Sequence, residues 1–203
     1  MTLSLLDWRR RVGGLYAAAR AGRDPETAWR TWRDGRDELF ADHPDSPLDE
    51  AARAAFRGLP FSGYDPALRF EAPLAPADPL RLALPTADDG AVPLHRMDTV
   101  TLGELGPLDV WWLGGYGGGI FLPLRDGSAG RTTYGGGRYL LDTIKGADLG
   151  STGDRLVVDL NFAYHPSCTY DPRWSCPLAP DGNRTDIPVT AGEQLPPGGW
   201  YGG

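Results

Sequence analysis

Basic residues, thiols and long apolar runs are all scarce in this sequence, and each shortage closes off a class of function. Among 203 residues, 20 are Lys or Arg against 27 Asp or Glu, a formal net charge of −7 at neutral pH. Binding a phosphate backbone needs a basic face, so nucleic acid is not an expected partner. Arginines do crowd at Arg9, Arg10 and Arg11, where a solvated helix face accounts for them. No apolar stretch approaches the roughly 20 residues that span a bilayer, and no membrane partner is expected. Leu3, Leu5 and Leu6 give way at once to Asp7, Trp8 and the three arginines, which leaves no apolar segment for a secretory signal. Only two cysteines are present, Cys168 and Cys176, too few for a disulfide scaffold. Together these shortages predict a cytoplasmic protein.

Glycine and proline, by contrast, are abundant. They number 28 and 19, about twice their usual combined share of roughly 12%. Spread without a period, they predict many turns between short strands. A hydrophobic content of 41% with 23% charged residues is that of a globular chain able to bury a core.

Residues 1–60 read as a helical segment packed on the rest. Leu5, Trp8, Val12, Leu15, Tyr16 and Ala19 recur at helical spacing. Asp24 before Pro25 is an N-cap with proline at the first helical position, and Trp29, Trp32, Leu39 and Phe40 follow. Ser46 before Pro47, with Asp49 three residues on, signals a third short start, and Gly58 a stop. The three tryptophans of this segment read as docking residues. From Phe61 the period falls to 2. Leu80, Leu82 and Leu84 alternate with polar or small residues, as do Leu156, Val158, Leu160 and Phe162. Val110–Leu113 and Ile120–Leu124 are short apolar runs between glycine-rich turns. Ile187 and Val189 suggest a last edge strand around Pro188. The expectation is a mainly β domain over 61–195, an antiparallel β-barrel or sandwich, with a flexible tail at 196–203.

Chemistry concentrates between Thr132 and Arg184. Tyr134-Gly135-Gly136-Gly137-Arg138-Tyr139 sets a planar guanidinium beside a backbone that can approach another group closely. Here Arg138 either holds an anionic ligand, with Tyr134, Gly136 and Gly137 around it, or pairs with a structural aspartate such as Asp142 or Asp159. A P-loop would need a following helix and a Lys-Ser or Lys-Thr pair, and both are missing. In the Asp159 strand, Asp159, Asn161 and Ala163 share the face opposite Leu160 and Phe162. Asp159 can serve as a general base and Asn161 can orient a ligand, or both can tie down the loop from Pro166 to Arg184.

These two segments, with Asp159-Leu160-Asn161-Phe162-Ala163-Tyr164-His165-Pro166-Ser167-Cys168-Thr169-Tyr170 at the heart of the second, resemble a bacterial and archaeal family known as domain of unknown function 1684. The resemblance extends from His43-Pro44-Asp45-Ser46-Pro47-Leu48 to Ala191-Gly192-Glu193. It implies no activity. The family pattern more often has asparagine at the position of His165 and threonine at that of Ser128.

Cys168 and Cys176 leave four readings open: buried free thiols, a disulfide, a metal site with His165, and a nucleophile whose pKa is lowered by His165 or Arg138. No metal set is complete in the sequence, and no cofactor fingerprint is present. The glycines of the turns at Ser128 and Ser151 do not match a nucleophile elbow. Two functions follow. One is a small-molecule enzyme or ligand-binding domain for an anionic small molecule, with Asp159, Cys168 and Tyr164 as the catalytic candidates. The other is a non-catalytic interaction module presenting the aromatic helices or the Trp111–Trp112 strand.

Overall fold

The computed structural model describes residues 3–85 and 90–200. Helix α1 (Leu3–Ala21) and helix α2 (Pro25–Asp42) are joined by a turn in which the Asp24 carboxylate accepts from the Thr27 N–H at 2.8 Å. That bond satisfies one of the orphan donors at a helix start. Both tryptophans of α2 are buried, and Trp29 Nε1 donates to the Asn161 carbonyl at 2.9 Å. His43 caps the C-terminus of α2. Helix α3 (Glu50–Ala55) starts at Asp49, which accepts from the Ala52 N–H at 2.7 Å, and it ends at Phe56. Ser46 is therefore not its cap: the hydroxyl donates to the Phe40 carbonyl at 2.8 Å and fastens the exit of α2 instead. None of the described helices is long and apolar enough to cross a membrane.

Eight antiparallel strands form one sheet. They are β1 (Arg69–Pro76), β2 (Arg81–Pro85), β3 (Ala91–Thr101), β4 (Pro107–Leu113), β5 (Gly119–Leu124), β6 (Arg138–Asp142), β7 (Ser151–Thr152) and β8 (Arg155–Asp159). The order is β6-β5-β4-β3-β1-β8-β7, with β2 pairing the first half of β3 while β1 pairs its second half. Past β8, Tyr164 exchanges two backbone bonds, of 2.8 and 3.1 Å, with Tyr139 of β6. This single bridge joins the two ends of the sheet. Among the described residues no continuous ladder closes it, so the fold is mainly β but only loosely a barrel.

Two cores follow from the side-chain alternation of the strands. Leu108 and Val110 join Val100, Leu122, Leu124, Val158 and Leu160 in one. Trp111 and Leu113 turn the other way, to Phe121, Tyr139, Phe162 and the helix residues Tyr16, Trp29 and Trp32. Burial on both faces explains the unbroken apolar runs of β4 and β5. Of the adjacent tryptophans, Trp111 is buried and Trp112 half-exposed.

Three expectations are corrected here. Pairing in ladders begins at Arg69, not Phe61, which makes only an isolated bridge to Glu193. The Ile187–Val189 segment is not a strand. Its Val189 N–H donates to Asp126 Oδ1 at 3.0 Å, so a side chain takes the place of a ladder partner. The β8 strand stops at Asp159, whose carboxylate accepts from the Asn161 N–H at 3.0 Å and turns the chain into a 3-10 turn.

The end of the irregular loop, just before Arg184, is fastened by an amide. Asn183 Oδ1 accepts from Trp111 Nε1 at 2.6 Å, and its Nδ2 donates to the carbonyls of Asp109 and Pro123 at 2.8 and 3.0 Å. Replacing Asn183 with Ala leaves a buried N–H and two carbonyls without these partners, and each such group costs about 1–3 kcal/mol. Chemical denaturation of Asn183→Ala should show a loss of about 3 kcal/mol or more; a loss below about 0.5 kcal/mol would mean water takes over all three bonds.

Candidate functional site

The triple glycine is framed by the protein's own groups. Gly137 has φ +94°, and a Cβ there would lie 2.6 Å from the Leu124 carbonyl oxygen. At Gly136 a Cβ would meet the Tyr134 ring at 2.5 Å. The close approach that the glycines permit is thus to β5 and to Tyr134. Arg138 is fully buried, with its guanidinium already engaged. Nη2 donates to Asp126 Oδ2 at 2.7 Å and to the Val189 carbonyl at 2.9 Å, and Nη1 to the carbonyls of Ala191 and Glu193 at 2.5 and 3.2 Å. Its carboxylate partner is Asp126 rather than Asp142 or Asp159, and its fork clamps the 188–193 segment. Burial alone would raise the Asp126 carboxyl, but Arg138 and the bonds from Ser128 and Val189 hold it below its ordinary value.

Asp159 and Asn161 are brought together, away from the cysteines. Asn161 Nδ2 donates to Asp159 Oδ1 at 2.7 Å and to the Asp65 carbonyl at 2.9 Å, while its Oδ1 accepts from the Asp65 N–H at 2.8 Å. Tyr64 donates to Asp159 Oδ2 at 3.0 Å. The pair therefore ties the 61–68 segment to β8, not the loop after Pro166. Burial raises the Asp159 carboxyl despite these donors. It lines only a small cleft of about 70 Å³.

A larger cavity, of about 280 Å³, lies between α1, α2 and the 164–176 segment. Trp8, Val12 and Tyr16 of α1 and Phe40 of α2 supply apolar wall; Tyr164, His165, Ser167, Ser175 and Cys176 line the other side. Arg9, Arg36 and Lys145 bring positive charge to it and Asp45 a carboxylate. Behind this wall sits Glu193, with no exposed surface. Its Oε2 accepts from Arg36 Nη2 at 3.0 Å and from the His165 N–H at 3.1 Å, and the Tyr170 hydroxyl donates to Oε1. His165 Nε2 accepts from the Tyr134 N–H at 3.2 Å, and its Nδ1 lies 3.5 Å from Glu193 Oε1. The Nδ1 direction is too poor for a hydrogen bond, so this is a contact only.

Of the residues the sequence singles out, Tyr164 alone both lines this cavity and was expected to act in catalysis. Its ring stacks on the Arg36 guanidinium at 5.1 Å, and burial pushes its hydroxyl well above the ordinary value. Cys168 stands behind, its thiol 3.7 Å from the Tyr134 hydroxyl, while Cys176 faces the cavity. Arg36, Lys145 and Glu193 were not candidates in the sequence. The two cations sit in ordinary helix and turn contexts; Arg36 precedes the stretch that carries the resemblance, while Lys145 lies inside it and Glu193 at its end. Among the described residues, no three His, Cys, Asp or Glu side chains gather as metal ligands would.

Burial works against the Glu193 charge, but His165, Arg36 and Tyr170 outweigh it and hold the carboxyl below its ordinary value. A carboxyl whose folded value is depressed stabilises the fold above its unfolded value, about 4.3. That stability is lost as pH falls through the lower folded value. Glu193→Gln leaves Arg36 buried without its counter-ion and should cost about 3–5 kcal/mol at neutral pH. The variant should also show a shallower fall in Tm than the wild type between about pH 5 and 3. Parallel Tm–pH curves would refute the assignment of acid lability to Glu193.

A search of curated proteins finds no match to this chain. Among solved structures, it is similar to an uncharacterised protein of Haloarcula marismortui determined by solution NMR, with 34% identity and a TM-score of 0.58. The match covers 84% of this chain and 94% of that one. Residues 54–194 match the family described as protein of unknown function (DUF1684), and the chain belongs to that family.

Proposed function

We propose that the protein is a binding domain for a small anion with an apolar body, held in the cavity between α1, α2 and the 164–176 segment. Arg36 carries this reading. It is buried, it lines the cavity with the small exposed part of its side chain, and among the described residues its carboxylate bond is the one from Nη2 to Glu193. A guanidinium at a cavity wall with one carboxylate partner keeps further N–H donors from which an incoming oxyanion can accept. Arg9 and Lys145 add charge at the same cavity, against the single lining carboxylate of Asp45. Trp8, Val12 and Phe40 fit an aromatic or aliphatic body, and the volume is close to the lower end of small-molecule pockets, about 300 Å³.

Relative to the site expected from sequence, this reading keeps the anion and Tyr164 and moves the recognising cation from Arg138 to Arg36. A cytoplasmic setting and a lack of nucleic-acid partners belong to it, supported by the acidic balance of the chain. The test is a thermal-shift and calorimetric screen of aromatic and aliphatic carboxylates and phosphates, each beside its neutral amide or alcohol. Anions should bind and their neutral counterparts should not. Arg9→Gln and Lys145→Gln, which leave the Arg36–Glu193 pair intact, should each weaken binding roughly 3- to 10-fold, as expected for partly exposed charges. Equal binding of charged and neutral members, or unchanged affinity in both variants, would rule out an anion site.

A further inference from the structure

The two cysteines lie on one wall of the cavity region, on a segment with little regular structure. Cys168 is on the 3-10 turn Ser167–Thr169, and the chain from Asp171 to Pro180 runs through three prolines with no strand or helix. Neither cysteine is disulfide-bonded, and both are partly exposed. Their side chains are in hydrogen-bonding contact, although the short loop between them has no ladder to hold it. Only Cys176 lines the cavity; Cys168 is set back against the Tyr134 hydroxyl. Asymmetry of this kind, with one sulfur in the cavity wall and its partner in contact behind it, is what an attacking and a resolving thiol require.

Charge around the pair points the same way. The Cys168 side chain is in hydrogen-bonding contact with that of Cys176, the Cys168 and Ser167 backbone contributes donors and Lys145 lies nearby, so that despite burial the Cys176 thiol is lowered to about 6. Cys168 is raised, first by that same hydrogen bond and then by burial. Other titratable groups facing the pair are Tyr139 of β6 and Tyr134. Across the cavity are Arg9, Arg36 and Asp45, and His165 lies on the same wall as Cys176. A thiolate at neutral pH is the nucleophilic form of cysteine.

We propose that Cys176 and Cys168 form a hydroperoxide-reactive dithiol in which Cys176 attacks and Cys168 resolves. In the first step the Cys176 thiolate attacks a peroxide oxygen. An S–O bond forms, the O–O bond breaks, sulfur is oxidised by two electrons, and the leaving oxygen takes up a proton as water or an alcohol. In the second step the Cys168 sulfur attacks the Cys176 sulfenic sulfur. An S–S bond forms, the S–O bond breaks, and hydroxide leaves with the Cys168 proton as water. One peroxide is reduced and two thiols become one disulfide. This proposal is independent of the anion reading, since it needs no ligand other than the peroxide.

The test uses the full chain with hydrogen peroxide and needs no variant for its first readout. Intact mass should show loss of two hydrogens with both thiols gone and no covalent dimer. In Cys168→Ala, dimedone should trap a sulfenic acid on Cys176; in Cys176→Ser, Cys168 should stay unlabelled at the same peroxide concentration. The rate of Cys176 alkylation in the wild type should rise through a midpoint near pH 6 and move upward in Cys168→Ala, which removes that contact. Circular dichroism would confirm that the variants fold. Preferential labelling of Cys168, a wild-type midpoint near the ordinary thiol value of about 8.5, or oxidation only to covalent dimers would each overturn the proposal.

Discussion

A carboxylate without access to water, Glu193, is the constraint around which the molecule is arranged. A buried charge is tolerated only when it is paired and its oxygens accept hydrogen bonds. Its partners come from α2 through Arg36, from the backbone beyond the sheet at His165, and from the loop at Tyr170. Because one side chain draws on all three, the helices, the end of the sheet and the irregular segment must meet at a single point. The cavity wall is made of those same residues, which is why it is built from parts so distant in sequence.

A second buried pair complements it. Arg138 and Asp126 hold the 188–193 segment through its carbonyls and the Val189 N–H, and so deliver Glu193 to its place. The apolar cores alone would not specify this path. The segment has no ladder of its own, and its position is fixed by polar groups satisfied in one arrangement. Asn183 does the same for the loop that precedes it, by way of Trp111 and two strand carbonyls.

Local signals in the sequence located what local forces decide. Asp24-Pro25 reads as a cap because an N-cap bond spans only three residues. The runs at Val110–Leu113 and Ile120–Leu124 read as strands because alternation and turn chemistry are short-range. Strand β3 was harder, since Pro93 and Asp98 interrupt its pattern and cross-strand neighbours compensate for them. The candidate site was least legible. A guanidinium carries the same chemistry whether it meets a ligand or Asp126, so the Gly-Gly-Gly-Arg138 motif could not say which. Arg36 and Glu193, 157 residues apart, leave no periodic trace of their meeting. Cys168 and Cys176 were visible as a pair, but only the fold distinguishes the one facing the cavity.

That separation also sets an order of events during synthesis. Arg36 emerges from the ribosome long before Glu193, on the same helix α2 that carries Trp29 and Trp32. Until the last segment follows, α2 has no counter-ion to bring inside and the sheet lacks the clasp around Arg138. The native burial of Arg36 therefore waits on the 188–193 segment, which brings its counter-ion.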